Sequence, residues 1–417
     1  MEKVRNICCA VIGFTSSLAL LRFGAFSYFK IAIVASIAVL LLCGKGKIEI
    51  GKLNPIYIWG FVLLMFTTIG AVVFPVGSIW SKQAKVMFFW MSAYFLFYAL
   101  STKLSCLDLK QYFRFFYYGG IVQVAWCVVQ FFWFATMGMD LNLMVFRSFF
   151  DVNKAGTYFK EGVYGVSGLA WHPTNMAPLL IIVYWMTSNI YVKFLVVLVG
   201  LMTNNATVII GVCFCAFIDV MRSRFHRRVT VNKKTLLGTC VILVVSVLAI
   251  ALYNIDEWAI SRFSYIYERI WGHHYDGGST DAHIRYFTWI PKVFISFGLD
   301  KTFLGFGEGC SGYTMTVLRH QYDNFGAWAL ECDIANILWN RGLLGFVLFY
   351  SWLYSIAKKG KRVSTKYAKV MGIIFICGFF YNIQYDWVIV TELMMGLAIQ
   401  NNVNIFEITS QKTKGMV

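Results

Sequence analysis

Apolar runs long enough to cross a bilayer recur from one end of this sequence to the other, and nothing else in it constrains the fold as strongly. They lie near 7–23, 26–43, 55–74, 84–100, 113–136, 174–191, 236–253, 334–356, 370–386 and 387–401, with a longer stretch at 192–220. A hydrocarbon core about 30 Å thick is spanned by roughly 20 helical residues. Inside lipid, every backbone N–H and C=O must find a partner within the protein, which leaves helices or a closed barrel. The runs are continuous and do not alternate, so a barrel is excluded. The expectation is an all-α fold: one integral membrane domain over 1–417 with about 12 transmembrane helices. Composition agrees, with 59% hydrophobic and only 14% charged residues, where a soluble domain has about a quarter charged. No cleavable signal is expected, because the first run lacks a small-residue cleavage site and a second run follows at once.

The loops set the orientation. "GKGKIEIGK" (44–52), "STKLSCLDLKQ" (101–111), "RSRFHRRVTVNKK" (222–234) and "KKGKRVSTKYAK" (358–369) are basic, and short basic loops stay in the cytoplasm. The net charge of +17 is therefore read as topology and not as a nucleic-acid surface. Span 174–191 must then end inside, as must 192–220. The longer stretch has to cross twice, with "TNN" (203–205) supplying a polar turn at its middle. Two segments remain outside, a smaller loop at 137–173 and a large one at 254–333. The large loop holds ten of the chain's 20 acids against six bases, a balance of −4 on a strongly basic protein. Few charges fall in mid-span, with Lys30 and Lys85 as the exceptions, and no internal repeat is visible, where transporters usually carry both.

Three outer stretches carry polar groups suited to chemistry. In "VYGVSGLAWHPTNMAPLL" (163–180) the glycines and Ser167 read as a flexible approach. His172-Pro173 opens a span, with Thr174 and Asn175 available as helix caps. Trp171 is a candidate sugar platform and His172 a candidate proton carrier; the alternative is a plain loop-to-helix entry. In "DAHIRYFTWIPKVFISFGLDKTFLGFGEG" (281–309), 281–297 has the pattern of an amphipathic helix lying on the outer surface. "GFGEG" resembles a phosphate-cradling loop, but no Lys-Ser/Thr follows, and a tight turn is the favoured reading. In "ECDIANILWNRGLLGFVLFY" (331–350), Asp333, Asn336 and Asn340 fall at i, i+3 and i+7 and share one helix face, with Arg341 about 100° away. Such a face at a span's mouth turns to a cavity, or else is a solvated helix end.

Cysteines are scattered, mostly within spans, where a thiol acts as a small hydrophobe. Cys310 and Cys332 are both expected outside, so a disulfide between them is open. His273, His274, Asp276, Asp281 and His283 lack ligand spacing, and no metal is expected.

Taken in order, "GLAWHP", the double crossing "LMTNNATVII", the basic inner loop, Arg285 and Trp289 leading to "GFGEG", and "LWNRGLLGFVLF" resemble the O-antigen polymerase family. The related O-antigen ligases are a less close likeness. They usually place a His-Asn pair before the last of these spans, where this chain has Glu331-Cys332-Asp333. The likeness covers roughly 160–350 by pattern and the whole chain by topology. It implies a GT-C-like helical glycosyltransferase acting at the outer, periplasmic face of a bacterial cytoplasmic membrane, without a cofactor. It also implies undecaprenyl-pyrophosphate-linked oligosaccharides as substrates, and a chain-length regulator and a flippase as partners. Fixed cations are needed for the leaving pyrophosphate; Arg147, Arg262, Arg269, Arg285 and Arg341 are the outer candidates. An acceptor is needed for the attacking hydroxyl's proton; Asp333, Glu331 and His172 are candidates, and Arg285 is included in the catalytic set. Trp171, Trp289, Tyr286, Asn336 and Asn340 are the expected sugar contacts, with Trp271, Trp328 and Trp339 as further aromatic faces. The alternatives are a ligase, passing glycan to a lipid A core or a protein, and a lipid-oligosaccharide flippase.

Overall fold

The computed structural model describes residues 2–18, 22–23, 26–43, 62, 65, 106–146, 158–160, 163–170, 173–226, 298–307, 332–382, 387–400 and 403–406. These residues are mostly helical. In chain order the helices are α1 (Glu2–Ser17), α2 (Tyr28–Cys43), α3 (Cys106–Met137), α4 (Leu141–Phe146), α5 (Met176–Met186), α6 (Ile190–Met202), α7 (Ala206–His226), α8 (Leu299–Leu304), α9 (Asp333–Val363), α10 (Thr365–Gly378) and α11 (Trp387–Gln400). Two antiparallel hairpins of two strands each join them: β1 (Arg22–Phe23) with β2 (Phe26–Ser27), and β3 (Tyr158–Lys160) with β4 (Val163–Gly165). The expected runs 55–74, 84–100 and 236–253 and the surface helix at 281–297 fall outside the described residues.

Helix boundaries depart from the apolar runs in both directions. α1 begins at Glu2 and α3 at Cys106, because a helix continues through charged residues that a hydropathy reading leaves out. α5 spans only 11 residues, shorter than the run that contains it. The stretch 192–220 does form two helices, α6 and α7, separated at Thr203–Asn205. Asn204 there has a positive φ of 50°. Among the described residues, one helix, Asp108–Met137, is long and apolar enough to cross a membrane by itself.

Small residues decide how the helices meet. Gly13 of α1 lies against the backbone of Tyr112 and Gly119 of α3 against Ser17. Positions rise together along both helices, so α1 and α3 run parallel, with backbones closer than any Cβ would allow. Gly200 of α6 accepts Val212 of α7, and Gly211 of α7 packs on Ile181 of α5 and Cys377 of α10. Gly360 near the end of α9 lies under Tyr367 near the start of α10, so these two form an antiparallel pair hinged at Ser364. The core between them is apolar and aromatic, with Trp185, Trp339, Tyr112, Phe113 and Phe116 fully buried.

This packing gives the bundle two unlike ends. At one end the Lys193 ammonium pairs with the Asp219 carboxylate, which also accepts from the Tyr184 hydroxyl at 3.2 Å. Lys193 lies 4.9 Å from the Tyr184 ring centre, and Lys369 lies 4.9 Å from that of Trp185. The starts of α6 and α10 and the ends of α5 and α7 therefore gather there, together with basic residues of 222–226 and 358–369. The opposite end gathers the start of α9, the end of α10, the α6–α7 turn and the segment 163–170.

Candidate functional site

At that second end, α9 opens with a β-conformation residue, Cys332, followed by Asp333. Burial pushes the Cys332 thiol up to about 11, against the opposing pull of the Ala335 and Ile334 amides, so it stays neutral at ordinary pH. Cys332 is a free cysteine; Cys310, to which the sequence left a bridge open, lies outside the described residues. The helical spacing puts Asp333, Asn336 and Asn340 on one face as expected, and all three are buried, at 0%, 6% and 2% exposure. The Asn340 amide donates to Asn336 Oδ1 at 3.2 Å. Asp333 presses on Gly378: a Cβ there would come within 3.0 Å of Asp333 Oδ2. The neighbouring Cys377 thiol donates to the Thr207 carbonyl at 3.6 Å. Asp333 thus stands where the start of α9, the end of α10 and the start of α7 converge.

Nine residues beyond Asp333, α9 breaks. Gly342 adopts φ 65° and ψ −173°, a conformation an L side chain rarely takes. Carbonyls ahead of a helix break lose their partners and need others. The Phe306 N–H donates to the Trp339 carbonyl and the Gly307 N–H to that of Asn340, both at 2.9 Å. Gly305 and Gly342 make this approach possible, since a Cβ on Gly305 would lie 2.5 Å from Gly342 N and one on Gly342 would collide with Phe303. Phe306 stacks on Trp339 with centroids 4.6 Å apart, and Lys301 lies 5.3 Å from the Phe306 ring centre. "GFG" is therefore a turn laid across a broken helix, and the N–H groups of Phe306 and Gly307 are engaged with backbone and not open to a phosphate. Trp339, read from sequence as a further sugar face, is fully buried and already stacked. Arg341, at the break, is 2% exposed, with its guanidinium 5.3 Å from the Phe349 ring centre.

A second polar cluster adjoins, and sequence reasoning did not find it. Asp140 caps α4: Oδ1 accepts from Asn142 N at 2.7 Å and Leu143 N at 3.1 Å, and Oδ2 from Gln130 at 3.1 Å and the Tyr164 hydroxyl at 2.6 Å. Gln130 Oε1 accepts from the Ser167 and Gly168 amides, and Gln123 Oε1 from that of Leu169. Asn142 donates to the Gly168 carbonyl at 2.6 Å. Burial and the Asp140 carboxylate hold the Tyr164 hydroxyl above its ordinary range. The stretch 163–170 is thus bolted to α3, not the flexible approach its glycines suggested. No local motif announces this, because Gln123, Gln130, Asp140 and Tyr164 span some 40 residues. Thr174 and Asn175 do not cap as expected: Asn175 makes no cap hydrogen bond, and Thr174 Oγ1 accepts from Asn205 at 2.9 Å.

Of the residues singled out from sequence, Asp333, Asn336, Asn340 and Arg341 are brought together on α9. Glu331, His172, Arg147, Arg262, Arg269, Arg285, Trp171, Trp289 and Tyr286 lie outside the described residues. Among the described residues no group of three or more His, Cys, Asp or Glu side chains could hold a metal ion. Glu392 corrects the count of mid-span charges: it lies within α11, is fully buried, and neither carboxylate oxygen has a hydrogen-bond partner. No protein-family model matches the chain, and no curated protein matches its sequence.

Proposed function

We propose that this protein is a polytopic membrane glycosyltransferase of the O-antigen polymerase type. It extends a glycan carried on undecaprenyl pyrophosphate at the outer face of the bacterial cytoplasmic membrane. The observation that carries the reading is the buried polar face of α9, Asp333–Asn336–Asn340 beside Arg341. It stands on a broken helix at the end of the bundle away from the basic loops. Polar side chains held at membrane depth belong to a cavity and its substrate, and broken helices are a recurring way to build one.

In this reading a hydroxyl at the non-reducing end of a newly arrived lipid-linked unit attacks the anomeric carbon of the growing chain. The anomeric C–O bond breaks and undecaprenyl pyrophosphate leaves with the bonding pair. The hydroxyl proton passes to Asp333, with Glu331 and His172 as the other acceptors. Arg285 and Arg147, then Arg262, Arg269 and Arg341, offset charge on the leaving group. The sugar–pyrophosphate bond supplies the energy, so no nucleotide is needed.

Deleting the gene tests the class. Polysaccharide capped with single repeat units supports a polymerase. Loss of repeats from the acceptor, with long chains left on polyprenyl lipid, supports a ligase instead. Within the polymerase reading, Asp333→Asn lowers polymerisation by about 100-fold or more, and Arg285→Ala abolishes it while the protein still accumulates in membranes. Normal chain length in both variants removes those residues from the site.

The flippase reading has one observation in its favour, the partnerless carboxyl group of Glu392 in mid-helix, since buried ionisable groups mark ion and substrate paths. Glu392→Gln separates the two. A polymerase retains normal chain length, whereas a proton-coupled flippase stops delivering repeat units altogether.

A further inference from the structure

Asn204 sits at the turn between α6 and α7 with φ 50°, one residue beyond the α6 cap at Thr203. Glycine is the usual occupant of this left-handed position, and asparagine replaces it mainly where its short side chain bonds its own backbone. Here the side chain does no such work. Asn204 is 1% exposed, and neither its Oδ1 nor its Nδ2 has a hydrogen-bond partner. Its neighbours do have local roles: Asn205 Oδ1 accepts from the Thr207 and Val208 amides while its Nδ2 donates to Thr174, and Thr203 Oγ1 donates to the Gly200 carbonyl. Only the middle residue of "TNN" carries a donor and an acceptor with nothing to bind.

A buried amide left unsatisfied on both sides destabilises the chain that carries it. Glycine would fit the backbone better and remove the penalty. The turn is also firmly placed: the Val166 N–H donates to the Met202 carbonyl at 3.0 Å, and Gly165 packs on the Thr203 carbonyl, 3.1 Å from the Asn204 Cβ position for a Cβ built on it. Three residues along, the Thr207 carbonyl accepts from Cys377, whose neighbour Gly378 touches Asp333. The amide therefore belongs to the same end of the bundle as the α9 polar face.

We propose that Asn204 is a substrate-binding residue: its side-chain amide donates to one sugar oxygen and accepts from a neighbouring hydroxyl or acetamido N–H of the lipid-linked oligosaccharide. The proposal rests on the glycosyl-transfer reading above, and adds a contact on α6–α7 to those on α9. An amide offering both a donor and an acceptor side by side matches adjacent hydroxyls, or the N-acetyl group, of a sugar ring, and suits neither a pyrophosphate nor an acyl chain.

The test uses Asn204→Gly in the full-length protein, expressed in the deletion strain. The substitution keeps the left-handed backbone and removes only the amide, so membrane abundance and thermal stability in detergent stay equal to wild type or rise. Polymerisation is then measured with lipid-linked repeat units extracted from the deletion strain. The expected result is a rise in KM of about tenfold or more with kcat much less affected, and a shorter modal chain on surface polysaccharide. Wild-type KM and chain length in a stable Asn204→Gly protein overturn the proposal and leave the polymerase reading standing, the amide then holding solvent alone. A fall in stability also overturns it, because the amide would then be serving the fold. If deleting the whole gene leaves surface polysaccharide unchanged, the polymerase reading itself fails and this proposal with it.

Discussion

Glu392 and Tyr367 are both fully buried, and the carboxylate oxygens of one and the hydroxyl of the other have no hydrogen-bond partner. Groups of this kind are costly to keep, so Glu392→Gln is expected to unfold at the same temperature as wild type or a higher one, checked by thermal unfolding in detergent. Tyr164 gives the opposite case, a buried hydroxyl well matched to Asp140. Its folded-state pKa is raised, so its contribution to stability is complete below the unfolded value near 10 and lost only as pH rises beyond that. Hydrogen exchange over 163–170 should therefore stay slow through neutral and mildly alkaline pH and quicken in strong alkali. Tyr164→Phe should lose that step and exchange faster at all pH values. Asp333, Asn336 and Asn340 were legible in the sequence because the helical period alone puts them on one face. Glu392 was not, because a single acid in "TELMMG" disappears into the average of an apolar run.

At the scale of elements, the junction of α8 with the break in α9 is the feature sequence could least foresee. A glycine within a helical pattern signals a lower propensity, and "NRGLLG" reads as an ordinary helix start. That Gly342 takes φ 65° follows only from the arrival of 303–307, some 35 residues earlier in the chain. The break at "TNN" was legible for the opposite reason, since three polar residues interrupt an apolar stretch too long for one helix. Gly342→Ala places a Cβ against Phe303 in a strained backbone region, and the expected loss is about 2–4 kcal/mol. It should appear as a lower unfolding temperature, together with exposure of the Trp339 indole, read as a red shift in its fluorescence.

Across the whole molecule, unlike chemistry is segregated to opposite ends, with Lys193, Asp219 and Lys369 at one and Asp140, Asn204 and Asp333 at the other. If the bundle crosses a bilayer as proposed, a thiol-reactive probe that cannot permeate should distinguish the ends. Met139→Cys, in the exposed link between α3 and α4, is expected to react in intact spheroplasts, and Ser188→Cys, in the exposed α5–α6 link, only after permeabilisation. Equal reaction at both sites from outside would overturn the transmembrane reading. The hydrogen bonds from Phe306 and Gly307 to α9 also have a topological effect. They fasten the chain at 307 within about 12 Å of where it re-enters α9 at 332, the rise of eight helical residues. The connection between 307 and 332 therefore joins two points that the fold already holds close together. Closure of such a loop depends only weakly on its length, and doubling it costs about 0.6 kcal/mol in chain entropy. On that ground alone, the number of residues between 307 and 332 can change at little cost while the junction that holds those two points stays in register.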